Sequence, residues 1–223
     1  MKLAVSGASG KTGFRIAEEA IKKRYEVTLL TRETSELPES LKGCKRNNIS
    51  LFNKSTLDNA LKGIDTLIIA TGARPSIDLA GPAKIEAYGV SMQVESCKRM
   101  GVKKIVLVSS LCIGKLFHPL NLFGLILLCK KIGEDKVINS GIDWTIIRPG
   151  GLNEKEEGIN KQNIYYSKKN TQEEGSIPRR LVAKCCIDAL NTDLASRQIV
   201  EITSNEENKK TSLRNALKTF NLL

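Results

Sequence analysis

The chain has 223 residues, of which 41% are hydrophobic and 26% charged, the composition of an ordinary folded protein that is long enough for one α/β domain and short for two. Its formal charge is +11, but the basic residues are spread along the chain in pairs, which favours a solvated basic surface over a nucleic-acid partner. Aromatic residues make up only 4%, so rows of stacking platforms for single-stranded nucleic acid are not expected.

Strands and helices are predicted to alternate along the chain. Short apolar runs predict buried strands, and longer stretches with apolar residues at helical spacing predict helices. The predicted strands cover residues 2–6, 26–31, 66–70, 104–109, 144–148 and 198–203. The predicted helices cover residues 12–23, 57–62, 83–100, 130–140 and 178–191. This order predicts βαβ units in a doubly wound, mostly parallel α/β sheet.

The C-terminal third is expected to add a small region on the substrate side. Residues 153–175 are polar and rich in Glu, Lys and Asn, which predicts a long surface excursion. Residues 205–210 are predicted to connect the last strand to a short C-terminal helix. Since no internal repeat or linker is found, residues 1–223 are expected to form one domain, with residues 152–223 supplying the excursion and the C-terminal elements.

The cysteines show neither metal-ligand nor disulfide spacing. No pair has the spacing C-x-x-C, and the adjacent Cys185 and Cys186 lie in an apolar helical stretch. Reduced thiols, no metal and a cytoplasmic location are therefore expected. The first predicted strand begins at Lys2, so no targeting segment is expected, and the most apolar stretch, residues 120–129, is shorter than the roughly 20 residues that cross a bilayer.

A Gly-rich loop follows the first predicted strand: Gly7, Ala8, Ser9, Gly10, Lys11, Thr12 and Gly13. The first glycine allows a tight turn, the second lets the backbone approach a pyrophosphate, and the third lets the helix pack on the sheet. The helix N-terminus offers free N–H groups to the phosphates, and Ser9 and Thr12 can add hydroxyl donors. Lys11 either contacts a phosphate or points to water. Because the loop joins a strand to an amphipathic helix, it predicts a dinucleotide site of the Rossmann type.

The end of the second predicted strand bears on the choice of dinucleotide. An acidic residue at this place holds the ribose hydroxyls of NAD, whereas an arginine suits the 2′-phosphate of NADP. Arg32 stands there, which favours NADP(H), although Glu33 follows directly and keeps NAD(H) open. Ala70 ends the third predicted strand, and Thr71 and Gly72 follow it; small residues at this place let a nucleotide lie close to the backbone.

Three segments together resemble the atypical short-chain dehydrogenase/reductases. They are the Gly-rich loop, Ser109 and Ser110 at a predicted strand end, and residues 144–152 with the sequence Trp-Thr-Ile-Ile-Arg-Pro-Gly-Gly-Leu. Within that superfamily the chain is similar to the NAD(P)H-binding group of cyanobacteria and plastids, often labelled NmrA-like or NADH-flavin-reductase-like. Residues 119–121 and 130–135 also look like that group, so the resemblance covers nearly the whole chain.

The resemblance implies roles for residues beyond the loop. Ser109 and Ser110 match the strand end that carries the catalytic serine, and Lys130 matches the helix lysine that contacts the nicotinamide ribose. Residues 149–152 match the loop that lies against the nicotinamide. The catalytic candidates are Ser110 and Lys130. The candidate cofactor contacts are Gly7, Ser9, Gly10, Lys11, Thr12, Gly13, Arg32, Ala70, Thr71, Gly72, Ser109, Lys130, Pro149, Gly150 and Gly151.

One residue of the standard mechanism is missing. That mechanism needs a Tyr four residues before the Lys, because the Lys lowers the pKa of the phenol that protonates the carbonyl. Ile126 stands at this position, and the titrating groups nearby are His118, Cys112 and Cys129. Reduction of an ordinary carbonyl is therefore not expected.

Two functions from different classes remain. The first is an oxidoreductase that passes hydride from NADPH to a flavin or quinone. A flavin would be a substrate of this protein and not its prosthetic group. Because such acceptors are already electrophilic, positioning the nicotinamide ring and the acceptor ring against each other suffices. The second is a silent NADP(H)-binding redox sensor, or an assembly or scaffold factor, that docks on a protein partner. The apolar residues 120–128 either line an acceptor site or pack in a core or interface. Peripheral membrane contact and the choice between monomer and dimer stay open.

Overall fold

A mostly parallel sheet with helices on both faces forms the centre of the computed structural model. The structure describes residues 1–72, 80–113, 115, 119–122 and 125–220; at residues 119 and 120 it describes the backbone alone. The strands are β1 (Lys2–Ser6), β2 (Glu26–Thr31), β3 (Lys45–Asn48), β4 (Thr66–Ile69), β5 (Lys104–Val108), β6 (Asp143–Pro149), β7 (Gly151–Asn153), β8 (Asn163–Lys168), β9 (Ser176–Pro178) and β10 (Gln198–Asn205). The helices are α1 (Gly13–Lys22), α2 (Lys54–Leu61), α3 (Val90–Met100), α4 (Ile126–Ile138), α5 (Arg179–Leu190) and α6 (Leu213–Phe220). A π-helical segment, Ala83–Gly89, leads directly into α3.

The order of the strands confirms the predicted doubly wound sheet. It is β3-β2-β1-β4-β5-β6-β10-β8, parallel throughout except that β8 runs antiparallel to β10 at the edge. The chain moves outward from β1 to β3 and then returns to β4 on the other side of β1. The crevice beyond the carboxyl ends of β1 and β4 is therefore the topological switch point, where ligands of open α/β sheets bind.

Two apolar clusters hold the helices on the sheet, one on each face. Alternate residues of β1 point to opposite faces. Leu3 and Val5 pack in the cluster that contains Ile16 of α1 and Val182 of α5. Ala4 packs in the cluster that contains Val94 of α3. Because helices cover both faces, the central strands are buried on both sides, which explains their continuous apolar runs.

Parts of the chain depart from the sequence-based expectations. β3 was not predicted, because its sequence Lys-Arg-Asn-Asn is wholly polar; it is an edge strand that pairs with β2 on one side. Residues 153–175 are not one continuous surface excursion, since β8 lies within them and pairs with β10. The helix predicted from residue 57 begins at Lys54, where the Asn53 side chain accepts a hydrogen bond from the Thr56 N–H. The helix predicted from residue 130 begins at Ile126.

Within the described ranges, no helix is both long enough and apolar enough to cross a membrane. The same residues bring together no group of three or more side chains able to hold a metal ion.

Candidate cofactor and active site

The Gly-rich loop connects β1 to α1 at the carboxyl edge of the sheet. Gly7 has a φ of +80°, and a Cβ there would lie 2.8 Å from the carbonyl oxygen of Ala70, so a side chain is excluded. A Cβ on Gly13 would overlap the carbonyl oxygen of Gly7. A Cβ on Gly10 would meet, among the described atoms, only that same oxygen, at 3.1 Å. The fold itself therefore requires Gly7 and Gly13, whereas the outer side of Gly10 is open to a ligand.

The first turn of α1 is suited to an anion. Thr12 precedes the helix and makes no capping hydrogen bond with its side chain among the described residues, and the first turn contains no acidic residue. In the first turn, the N–H groups of Phe14 and Ile16 donate to the carbonyls of Gly10, at 3.0 Å, and Thr12, at 3.1 Å. A pyrophosphate would therefore accept hydrogen bonds from N–H groups of the loop at the start of the helix, where the positive end of the helix dipole lies.

Buried hydroxyl groups lie at the carboxyl ends of three adjacent strands. Ser6 ends β1, Thr71 follows β4 and Ser109 follows β5. The hydroxyl oxygen of each is buried and has no hydrogen-bond partner in the part of the chain that the structure describes. An unsatisfied buried hydroxyl costs roughly 1–3 kcal/mol, so native proteins usually supply a partner. A dinucleotide lying across this edge would bring ribose and phosphate oxygens to it, and the residues present fit such a ligand.

A second arginine, which the sequence-based reasoning missed, holds the end of β2. Arg46 of β3 donates from Nε to the Thr31 hydroxyl at 2.8 Å. Its Nη2 donates to the backbone carbonyls of Arg32, at 2.8 Å, and Glu33, at 3.0 Å. The side chain of Arg32 is exposed at this strand end. The end of β2 therefore has two guanidinium groups, whereas the sequence predicted only that of Arg32. Arg46 was not predicted because it lies on β3, a strand that was not predicted either.

A cavity of about 520 Å³ opens beside this strand end. Lys42 and Arg46 give it two cationic groups, and Ser35 adds a hydroxyl that has no hydrogen-bond partner within the described ranges. Glu36 also lines the cavity and opposes an anion. Lys42 is also paired with Glu39, at 2.5 Å, which offsets part of its charge. Lys42, Arg46 and Glu36 together leave the lining with a small net positive charge, and its cationic groups can donate to a phosphate.

Lys11 of the Gly-rich loop has an acidic partner from the C-terminal part of the chain. Its ammonium forms an exposed ion pair with Glu154, which follows β7. In the first turn of α1, Arg15 pairs with Glu156 at 2.5 Å. Part of the polar stretch 153–175 therefore lies against the phosphate loop, and a bound pyrophosphate would compete with Glu154 for Lys11.

The candidate lysine of the active site has a buried carboxylate partner. Lys130 of α4 donates from Nζ to Oε2 of Glu86 at 2.8 Å. The side chains are 14% and 4% exposed. Glu86 belongs to the π-helical segment, and the sequence-based reasoning did not single it out. Ile126, at the position of the missing tyrosine, is the first residue of α4, one turn before Lys130.

The loops that follow β5 and β6 meet at the same edge. The backbone N–H of Leu111, directly after Ser110, donates to the carbonyl of Pro149 at 3.0 Å. Gly150 donates to the carbonyl of Ile202 at 2.9 Å, and a Cβ on it would lie 2.6 Å from the carbonyl oxygen of Gly175. The structure thus places Ser109 and Ser110 beside the residues 149–151 that were predicted to face the nicotinamide.

The other titrating groups near Lys130 are poorly suited to proton transfer. Burial raises the pKa of the Cys112 thiol and of the Cys129 thiol. His118 lies outside the described residues, as do residues 123 and 124 of the apolar stretch 120–128. In the rest of that stretch Leu127 is buried, while Leu122, Leu125 and Leu128 are exposed, so part of it is not core.

A buried ion cluster fixes α4 to the sheet. Arg148 of β6 donates from Nε and Nη2 to both carboxylate oxygens of Glu134, at 2.9 and 2.7 Å, and from Nη1 to Glu201 at 3.3 Å. Burial lowers the pKa of Arg148, but the two carboxylates outweigh it, and the pKa of the guanidinium is raised. Since Glu134 is one turn after Lys130, the cluster fixes the helix that carries that lysine.

Comparisons with known proteins agree with this geometry. The sequence model of a family described as NAD(P)H-binding matches residues 7–193. An uncharacterized chloroplastic protein of Arabidopsis thaliana is 34% identical over 228 residues, which cover 96% of this chain and 80% of that protein. Sanguinarine reductase of Eschscholzia californica is 29% identical over 245 residues, covering 91% and 89%. A proposed NAD-dependent epimerase/dehydratase of Bacillus halodurans has the same fold, with a TM-score of 0.84 at 22% identity over 98% of this chain and 99% of that one.

Proposed function

Because this chain belongs to the NAD(P)H-binding family, we propose that it is an oxidoreductase that passes a hydride from NADPH to a flavin or quinone-type acceptor. The observation that carries the proposal is the carboxyl edge between β1 and β5. There the open side of Gly10 faces outward, and the buried hydroxyls of Ser6, Thr71 and Ser109 have no partner among the described residues. The similarity to a protein named as a reductase supports redox chemistry.

The residues of the site would hold the dinucleotide in an extended form along this edge. The pyrophosphate would bind the N–H groups of the loop between Gly7 and Gly13. The adenosine would lie toward the end of β2, where Arg32 and the cavity beside Arg46 provide cations for a 2′-phosphate. The nicotinamide, which supplies the hydride when bound, would lie toward Ser109 and Lys130.

The choice of acceptor follows from the absence of the tyrosine. Ile126 has no proton to give, and burial raises the pKa of the neighbouring thiols Cys112 and Cys129. A flavin or quinone needs less help from an acid than a carbonyl does, because its ring is already electrophilic. The exposed leucines 122, 125 and 128 offer an apolar surface at the start of α4 to such a ring.

A silent NADP(H)-binding sensor is the second candidate, and the Lys130–Glu86 ion pair favours it. A lysine held by a buried carboxylate has one donor fewer for a substrate, and Ile126 adds none. In this reading the exposed leucines would contact a protein partner instead of an acceptor ring.

Oxidation of NADPH by the purified protein separates the two candidates. We expect a loss of NADPH absorbance with at least one of FMN, FAD or a soluble quinone, at a rate proportional to the protein concentration. Tight binding of NADPH on the same sample without turnover across the panel would reject the oxidoreductase and favour the sensor.

Arg32→Ala is expected to weaken binding of NADPH far more than binding of NADH. A charge-assisted hydrogen bond contributes about 1.5–3 kcal/mol, so NADPH should bind roughly tenfold to a hundredfold more weakly, while NADH changes little. Calorimetric titration with both dinucleotides measures the ratio. The matched control is Arg214→Ala on the exposed side of α6, which removes the same charge and should leave both affinities unchanged. Equal losses for NADPH and NADH would remove Arg32 from the 2′-phosphate.

A further inference from the structure

The carboxylate of Glu86 lies between two parts of the candidate site. Its Oε2 accepts a hydrogen bond from Lys130 Nζ at 2.8 Å, and its Oε1 lies 3.4 Å from where a Cβ on Gly72 would be. Gly72 follows β4 at the switch point, and Lys130 starts the second turn of α4. Glu86 therefore connects the helix lysine to the edge where the dinucleotide is proposed to lie.

The backbone around Glu86 explains why the carboxylate reaches this place. Ala83–Gly89 is π-helical, and such turns change the direction of side chains relative to an α-helix and occur often at functional sites. The carbonyl oxygen of Glu86 lies so close to α4 that a Cβ on Gly133 would overlap it. Gly133 comes three residues after Lys130, so one face of α4 both admits the Glu86 backbone and presents the lysine to its carboxylate.

Burial makes the pairing specific. The Glu86 side chain is 4% exposed, and an ionised carboxylate at that depth needs an opposite charge and hydrogen bonds. The lysine, in turn, loses rotamer entropy when its side chain is fixed. A partner that fixes the ammonium in advance lowers the entropy that is lost when a ligand binds it.

We propose that Glu86 is a positioning residue that holds the ammonium of Lys130 at the nicotinamide end of the cofactor cleft. The inference rests on the proposed function in one respect, that Lys130 contacts the bound dinucleotide.

A double-mutant cycle on NADPH binding tests this, and it does not require turnover. The proteins are the unmodified chain, Glu86→Gln, Lys130→Met and the double variant, each titrated with NADPH by calorimetry. We expect each single variant to bind NADPH more weakly, roughly threefold or more. The double variant should bind no more weakly than Lys130→Met, because Glu86 acts through the lysine. If Glu86 affected NADPH binding by a route other than Lys130, the losses of the two single variants would instead multiply.

The controls keep the outcomes apart. Thermal unfolding of each variant shows whether it is folded, and Glu86→Asp, which keeps the charge on a shorter side chain, replaces Glu86→Gln if that variant does not fold. Multiplying losses, or an unchanged affinity in either single variant, would overturn the positioning role. Absence of NADPH binding by the unmodified chain would instead reject the proposed function, which is a separate result.

Discussion

Replacing Gly10 with valine should abolish NADPH binding while the protein stays folded. A Cβ at this position would meet, in the described part of the chain, only the Gly7 carbonyl, at 3.1 Å, so the loop can accept it with a small shift. The branched side chain would then occupy the space that a pyrophosphate needs next to the backbone. We expect the dissociation constant to rise at least about 100-fold, equivalent to about 2.8 kcal/mol, in a calorimetric titration.

Gly63→Val is the matched control for this substitution. Gly63 precedes β4, at the opposite edge of the sheet from the Gly-rich loop, and a Cβ there meets nothing within 4 Å among the described residues. Its φ of +73° makes the variant less stable, but the folded variant should bind NADPH as the unmodified chain does. Circular dichroism of both variants checks that the fold is kept. If a folded Gly10→Val protein bound NADPH with unchanged affinity, the pyrophosphate would not lie on this loop.

Arg148→Met should lower the free energy of unfolding by about 3–5 kcal/mol, because it removes the cation of a buried ion cluster. The guanidinium is the partner of two carboxylates, Glu134 and Glu201, whose side chains are each 1% exposed. The substitution keeps most of the side-chain volume but leaves both carboxylates buried without their cation. Urea unfolding at neutral pH measures the difference.

An exposed pair provides the comparison for this experiment. Lys103 lies 4.0 Å from Asp65, and its side chain is 81% exposed. Lys103→Met should therefore change the unfolding free energy by less than about 1 kcal/mol, as is usual for pairs in water. If Arg148→Met changed the unfolding free energy as little as Lys103→Met does, the cluster would not fix α4 to the sheet.

The alternation of apolar strands and amphipathic helices was sufficient to predict the doubly wound sheet. Polar edge elements were not predictable in the same way. β3 has no apolar residue, because an edge strand with one neighbour needs only backbone pairing. Because β3 was not predicted, Arg46, which lies on it, was not predicted as a site residue either. β8 was not predicted for a related reason: the residues before and after it in the sequence are polar, and its partner β10 is far along the chain.

Glu86 was missed because an acid within a helical stretch is typical of a solvated face. Nothing in the local sequence marks the π-helical geometry that turns its side chain inward. One signal was available: Gly133 stands within a helix, where glycine is unfavourable, and such a residue usually has a packing reason. That reason is the Glu86 carbonyl. The expectation that residues 1–223 form one domain stays a prediction.

A crystal structure of the protein with NADPH tests the central claim most directly. We predict a dinucleotide extended across the carboxyl edge of the sheet, with its pyrophosphate on the loop from Gly7 to Gly13. The 2′-phosphate should lie at Arg32, and the nicotinamide should lie beside Ser109, within reach of Lys130. A dinucleotide bound elsewhere, or a loop empty at saturating NADPH, would contradict the account.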